Sequence, residues 1–126
     1  MRFFRLVLLL AITVGLLGAM AVPAMANKAS VRIEAPSEVT PGSTITIKLH
    51  VMHNGNNWFH YTNWVQVSIN NSELKRWDFS RSNRPENENF TRTVTYEVTG
   101  PLEITAEANC NLHGSAGPAT LSVKLK

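Results

Sequence analysis

A chain of 126 residues with 12 basic and nine acidic side chains has room for one domain with a modest core and not for two. Two of the positive charges, Arg2 and Arg5, belong to an apolar leader, so the remainder is close to electrically balanced and lacks the basic surface that nucleic acid or an anionic membrane would require. A single cysteine, Cys110, excludes any intramolecular disulfide, so its presence needs another explanation.

The leader comes first in chain order. Arg2 and Arg5 precede an apolar run from Leu6 to about Val22, and Ala24-Met25-Ala26 then offers small residues at the cleavage positions of a signal peptide. The sequence therefore predicts a signal peptide over residues 1–26, cleavage after Ala26, one domain over residues 27–126, and a periplasmic or otherwise exported location. A run of about 17 to 20 apolar residues is also long enough to span a bilayer, but the small-residue pattern favours removal over anchoring.

Beyond Ala26 the hydrophobic pattern has period two. Residues 30–35 form a first run, and Ile45, Ile47, Leu49 and Val51 then alternate with Thr44, Thr46, Lys48 and His50, as in a half-buried strand. The alternation recurs in Val65, Val67 and Ile69, in a short run over residues 74–79, in Phe90, Val94, Tyr96 and Val98, in Leu102, Ile104, Ala106 and Ala108, and in Leu121, Val123 and Leu125. Turn residues separate these runs, among them Pro41-Gly42, residues 54–57, Asn70-Asn71-Ser72, Gly100-Pro101 and residues 114–118. About seven evenly spaced strands with no helical interval predict an all-β, immunoglobulin-like β-sandwich.

Four metal-binding side chains fall near strand ends: His53 just past one strand, His60 at the start of the next, and Cys110 and His113 in the loop before the last. Loops gathered at one end of a sandwich bring such distant residues together. In Cys110-Asn111-Leu112-His113-Gly114, sulfur and imidazole can reach one ion from a single turn, and Gly114 lets the backbone bend sharply. Taken singly, Cys110 reads more readily as a small buried hydrophobe and each histidine as a hydrogen-bonded residue. Taken together they suggest a mononuclear site. Structural zinc sites generally use two or more thiolates, so one sulfur with several imidazoles suits a redox metal, iron or copper.

The segment His60-Tyr61-Thr62-Asn63-Trp64-Val65-Gln66-Val67 resembles the His-Tyr-Ile-x-Trp-Ile-Glu-Leu stretch of the superoxide reductases, the neelaredoxin and desulfoferrodoxin family. Cys110-Asn111-Leu112-His113-Gly114 resembles that family's Cys-Asn-x-His-Gly motif, and Val31-Arg32-Ile33-Glu34-Ala35-Pro36 the opening of its iron domain. The resemblance implies an immunoglobulin-like sandwich holding one iron by four equatorial histidines and an axial thiolate, with an open position where superoxide is reduced to peroxide. It carries the ligand roles to His53, His60, Cys110 and His113, with one extra residue in the loop after His53. Cys110 would be the sulfur that directs the chemistry, and Lys28 would stand in for a lysine that attracts superoxide.

The resemblance has gaps. Where the family has its first ligand, this chain reads Asn27-Lys28-Ala29-Ser30-Val31, without a histidine, and Ser115-Ala116 replace bulky residues after His-Gly. His50 is the remaining imidazole, but alternation sets it on the polar face. One cysteine leaves no second, four-thiolate iron centre, so electrons would come from an external donor such as a small cytochrome. Trp58 and Phe59 would shield the metal or form a homo-oligomer contact. The rival readings are a cupredoxin-like copper or electron-transfer module, disfavoured because no methionine follows Cys110, and a plain exported sandwich for adhesion or assembly. A sulfur carrier fits less well, because Cys110 is followed by another strand.

Overall fold

In the computed structural model residues 27–126 are described, and they fold into eight strands. These are β1 (Ser30–Glu34), β2 (Glu38–Val39), β3 (Thr44–Met52), β4 (Thr62–Ile69), β5 (Ser72–Asp78), β6 (Phe90–Glu97), β7 (Leu102–Cys110) and β8 (Ala119–Leu125). A three-stranded sheet, β1-β3-β6, faces a five-stranded sheet, β2-β8-β7-β4-β5. The signal-peptide reading concerns residues 1–26, outside the described residues.

The alternation seen in sequence is what builds the core. Ile45, Ile47, Leu49 and Val51 of β3 meet Val65, Val67 and Ile69 of β4, Leu102, Ile104, Ala106 and Ala108 of β7, and Val123 of β8 in one buried cluster. Inward-facing aliphatic side chains from two sheets remove apolar surface from water, the main stabilising contribution in such a sandwich. The eighth strand is β2, two residues that pair in parallel with β8 through Glu38 with Lys124 and Val39 with Leu125. Two residues are too few to show an alternation, so the sequence reads there as a turn.

The β4–β5 hairpin turns through Asn70 and Asn71, both with positive φ (49° and 68°), as the two-residue turn that matches strand twist requires. At the other end of β4, the pairing with β7 shifts register between Thr62 and Trp64. Counting back from Ile69, Val67 and Val65, strict alternation would aim Asn63 inward. The bulge turns Thr62 into the core instead, opposite Cys110. That local irregularity lies at the end of the sandwich where the candidate ligands gather.

Candidate metal centre

Two ligands are continuations of core strands. Cys110 closes β7 as the next inward position after Ala106 and Ala108, and is 1% exposed; it therefore belongs to the strand end rather than to the following loop. His53 follows Ile47, Leu49 and Val51 on the inward face of β3 and is 3% exposed. His60 arrives from the β3–β4 loop and is half-buried, while His113, in the β7–β8 loop, is exposed. The cluster thus runs from the core to solvent.

Short contacts link the four donors in a chain, with His113 joined to it through His60 and Cys110. His53 Nε2 lies 3.2 Å from His60 Nε2, which lies 3.3 Å from His113 Nδ1, which lies 3.7 Å from Cys110 Sγ. The donor atoms of His53, His60 and Cys110 all fall within 4.8 Å of one another. With metal–nitrogen bonds of about 2.1 Å, neighbouring ligands of one ion stand about 3.0 to 3.4 Å apart, so the imidazole spacings fit a shared cation. The ring planes stand nearly perpendicular, at 88° for His53 and His60 and 85° for His60 and His113.

Each ligand is held by groups that the sequence did not single out. Thr62 Oγ1 sits 2.9 Å from His53 Nδ1; with that nitrogen protonated and donating to the hydroxyl, the Nε2 lone pair is free to bind a metal. Gly55 backs the His60 ring so closely that a Cβ there would stand 2.4 Å from Nδ1. The Asn57 side-chain oxygen accepts the Phe59 and His60 N–H groups at 2.9 Å each, and Asn57 N–H donates to the His60 carbonyl at 2.8 Å, so the loop is closed on itself. Residues 54–57 read as a solvated turn, but Gly55 is buried because it carries the histidine beside it. An Asn-Gly pair lying between two candidate ligands is the only hint the sequence offered.

The second loop is equally constrained. Cys110 and Gly114 exchange two backbone hydrogen bonds of 2.9 Å, and Gly114 takes a φ of 80° to close that turn. The turn aims the His113 N–H at Cys110 Sγ, 3.3 Å away, so a backbone amide does donate to the sulfur. The neighbouring asparagines act differently. Asn111 ties the two ligand loops together, accepting the Tyr61 N–H at 2.9 Å and donating to the Phe59 carbonyl at 3.0 Å. Asn109 donates to Asn63 Oδ1 at 2.8 Å and pins the bulge.

Electrostatics favour a neutral His53. Burial, and then the positive charge that His60 would bring, push its pKa below the usual imidazole range, while the carboxylate of Glu88 and the carbonyl of Asn27 oppose the shift. A neutral imidazole is the form that binds metal.

His50 stands apart. Its Nε2 lies 2.7 Å from Glu34 Oε2 on the outer face of the β1–β3 pair, the polar orientation that alternation predicts. Lys28 is half-buried, one residue ahead of Ala29, which bridges to Ser115. Trp58 and Phe59 are exposed, with the Arg81 guanidinium 5.7 Å from the Trp58 ring centroid, and Leu112 and Met52, sequence neighbours of His113 and His53, are exposed too. Trp77 packs against the core, and Trp64 is half-buried beneath Arg76.

Fold and donors together define a class of protein: an all-β sandwich whose loop end gathers three imidazoles and one thiol, a set suited to a single transition-metal ion. Residues 22–115 match the Desulfoferrodoxin family model. The chain belongs to the desulfoferrodoxin family. Its fold is similar to that of the superoxide reductase (neelaredoxin) from Ignicoccus hospitalis, with 21% identity, a TM-score of 0.68, and coverage of 86% of this chain and 89% of that one. A point variant of that same Ignicoccus protein aligns at 23% identity and a TM-score of 0.66, over 80% and 83% of the two chains. The CARDB domain of the PF1109 protein from Pyrococcus furiosus, solved in complex with di-metal ions, aligns at 22% identity and a TM-score of 0.61, over 79% and 94%. No curated protein matches the chain significantly in sequence.

Proposed function

We propose that the protein is an exported mononuclear non-haem iron protein that reduces superoxide to hydrogen peroxide with electrons from an external donor. The observation that carries this reading is the meeting of His53, His60, His113 and Cys110 in one cluster, from three separate segments of the chain. Membership of the desulfoferrodoxin family supports iron over other metals, and the leader over residues 1–26 supports export with cleavage after Ala26.

The ligands would be His53 through Nε2, His60 through Nε2, His113 through Nδ1 and Cys110 through sulfur. Iron held there would supply one-electron redox chemistry, by which superoxide with one electron and two protons would become hydrogen peroxide, the electron being replaced by the external donor. The chain's own residues set the conditions. Thr62 holds His53 in the tautomer that offers Nε2. The His113 N–H donates to the Cys110 sulfur and withdraws some of its negative charge, which limits how strongly the thiolate donates to the metal. The exposed His113 side leaves a route for a small anion and for protons from water, and the ammonium of Lys28, one residue before the Ala29 bridge to the His113 loop, would add positive charge to that approach. Trp58, Phe59 and Leu112 give the same end an apolar border on which an electron donor or a second copy can rest.

The experiment is metal analysis, visible spectroscopy and decay of pulse-generated superoxide on the exported protein. One iron per chain is expected, with a thiolate-to-iron charge-transfer band that disappears on reduction and in Cys110→Ser. His60→Ala and His113→Ala are expected to lose the metal, whereas His50→Ala keeps it. A colourless wild-type protein that binds no iron, or a superoxide decay rate unchanged in His60→Ala, would refute the reading.

A further inference from the structure

Backbone pairing lays the start of the domain against the metal centre. Ser30 stands opposite Met52 in the β1–β3 ladder, so the residue before it, Ala29, comes level with His53. On its other side Ala29 donates its N–H to the Gly114 carbonyl at 3.3 Å and accepts from the Ala116 N–H at 2.9 Å, a parallel bridge to the loop that carries His113. Ala29 is fully buried and contributes only a methyl group. Asn27, two residues earlier, is exposed, and its carbonyl is among the groups that act on the His53 imidazole. The main chain at Ala29 therefore lies between the two ligand segments, and Asn27 stands two residues from that junction.

What this segment can do depends on the bonding of one atom. In the uncut chain the Asn27 nitrogen is an amide, its lone pair delocalised into the neighbouring carbonyl and unavailable to a metal. Hydrolysis of the Ala26–Asn27 bond by a signal peptidase consumes one water, leaves a carboxylate on Ala26, and turns the Asn27 nitrogen into a primary amine with a localised lone pair. We propose that the α-amino nitrogen of Asn27, freed by removal of residues 1–26, is a further ligand of the ion held by His53, His60, His113 and Cys110.

The proposal rests on the reading of the chain as an exported metalloprotein. It gives the centre a fourth nitrogen donor without a fourth histidine, from a segment that lies between the end of β3 and the β7–β8 loop and carries no imidazole of its own. It also ties assembly to processing. The unprocessed chain holds its ion more weakly than the mature one, so the centre is completed after export and not before it.

The test uses cobalt(II), whose thiolate charge-transfer absorption reports binding, titrated into the exported protein and into a variant with one glycine inserted between Ala26 and Asn27. Intact mass defines each N-terminus, and the thermal midpoints of the metal-free forms show whether the insertion leaves the fold unchanged. The insertion displaces the amine by one residue, about 3.3 to 3.6 Å of chain. A second comparison converts the terminal amine of the natural protein to a ketone by transamination with glyoxylate, which removes the donor without altering the sequence. The natural mature protein is expected to begin at Asn27 and to bind cobalt at least about ten-fold more tightly than either modified form, with ligand-field bands that move when the amine is displaced or lost. Equal affinity and unchanged bands, or a mature protein beginning at another residue, would overturn the proposal and leave the imidazole–thiolate centre standing. Failure of every form to bind cobalt, or binding undiminished in Cys110→Ser, would overturn the centre and the proposal together.

Discussion

At the scale of single residues, Gly55 is the sharpest constraint on the centre. A methyl group at that position meets the His60 ring at 2.4 to 2.8 Å, so the ring has to shift from its place in the cluster. Gly55→Ala is expected to displace His60, lower metal occupancy severely, and destabilise the fold by about 1 to 3 kcal/mol, the usual range for overpacking. Metal content and the urea midpoint measure the two effects separately. His53 sets the response to acid. Its folded pKa lies below the ordinary value of 6.5, so as pH falls through that value the unfolded chain takes up a proton that the folded chain refuses. The stability of the metal-free protein should therefore rise with pH up to about 6.5 and level off above it. Glu34 and Glu86, whose pKa values are lowered by His50 and Arg92, lose their contribution only below the ordinary value of 4.5, well clear of that window. Urea midpoints at about pH 5.5 and 7.5, either side of the ordinary imidazole value, should thus differ in the wild type and converge in His53→Gln; no difference in the wild type would contradict the assignment.

At the scale of elements, strands bring the deep ligands and loops bring the shallow ones. The odd-numbered positions of β3 run inward from Ile45 through Val51 to His53, and the even-numbered positions of β7 run inward from Leu102 through Ala108 to Cys110. Both burials follow from the period-two pattern, and so does the outward face of His50. Thr62 was not legible in that way, because its inward turn depends on a bulge fixed by pairing with β7 and by Asn109, which are long-range facts with no local signature. The same holds for Asn111, whose side chain bonds residues 50 and 52 positions away. In the fold it is a brace between loops. Asn111→Ala removes two hydrogen bonds and is expected to weaken stability by about 1 to 2 kcal/mol and metal affinity by about 10- to 100-fold. An isothermal metal titration that finds wild-type affinity in this variant would show that the loops need no brace.

At the scale of the whole molecule, the two-sheet architecture was legible because the core strands β3, β4 and β7 each bury one face only, and one-sided burial is what a period of two records. The eighth strand was not, since β2 consists of two residues held by the edge of β8. The gathering of His53, His60, Cys110 and His113 was foreseeable from strand ends and a family-like pair of motifs; the distances between them were not, because they depend on how three segments close over one another. That closure has a thermodynamic consequence. An ion that binds the folded chain at ligands from three segments, and the unfolded chain hardly at all, stabilises the fold by about 4 kcal/mol at a thousand-fold excess over its Kd. Chelator should accordingly lower the thermal midpoint of the wild type and leave that of Cys110→Ser unmoved, as calorimetry can determine.

The gradient of exposure across the cluster also dictates an order of events. Cys110 and His53 are sealed by the core as soon as the sheets dock, whereas His113 stays in contact with water. Ions must consequently enter and leave past His113, by the swing of a short turn and without the sandwich coming apart. Exchange of the bound ion should then keep pace with the breathing of that turn, on a timescale far shorter than global unfolding.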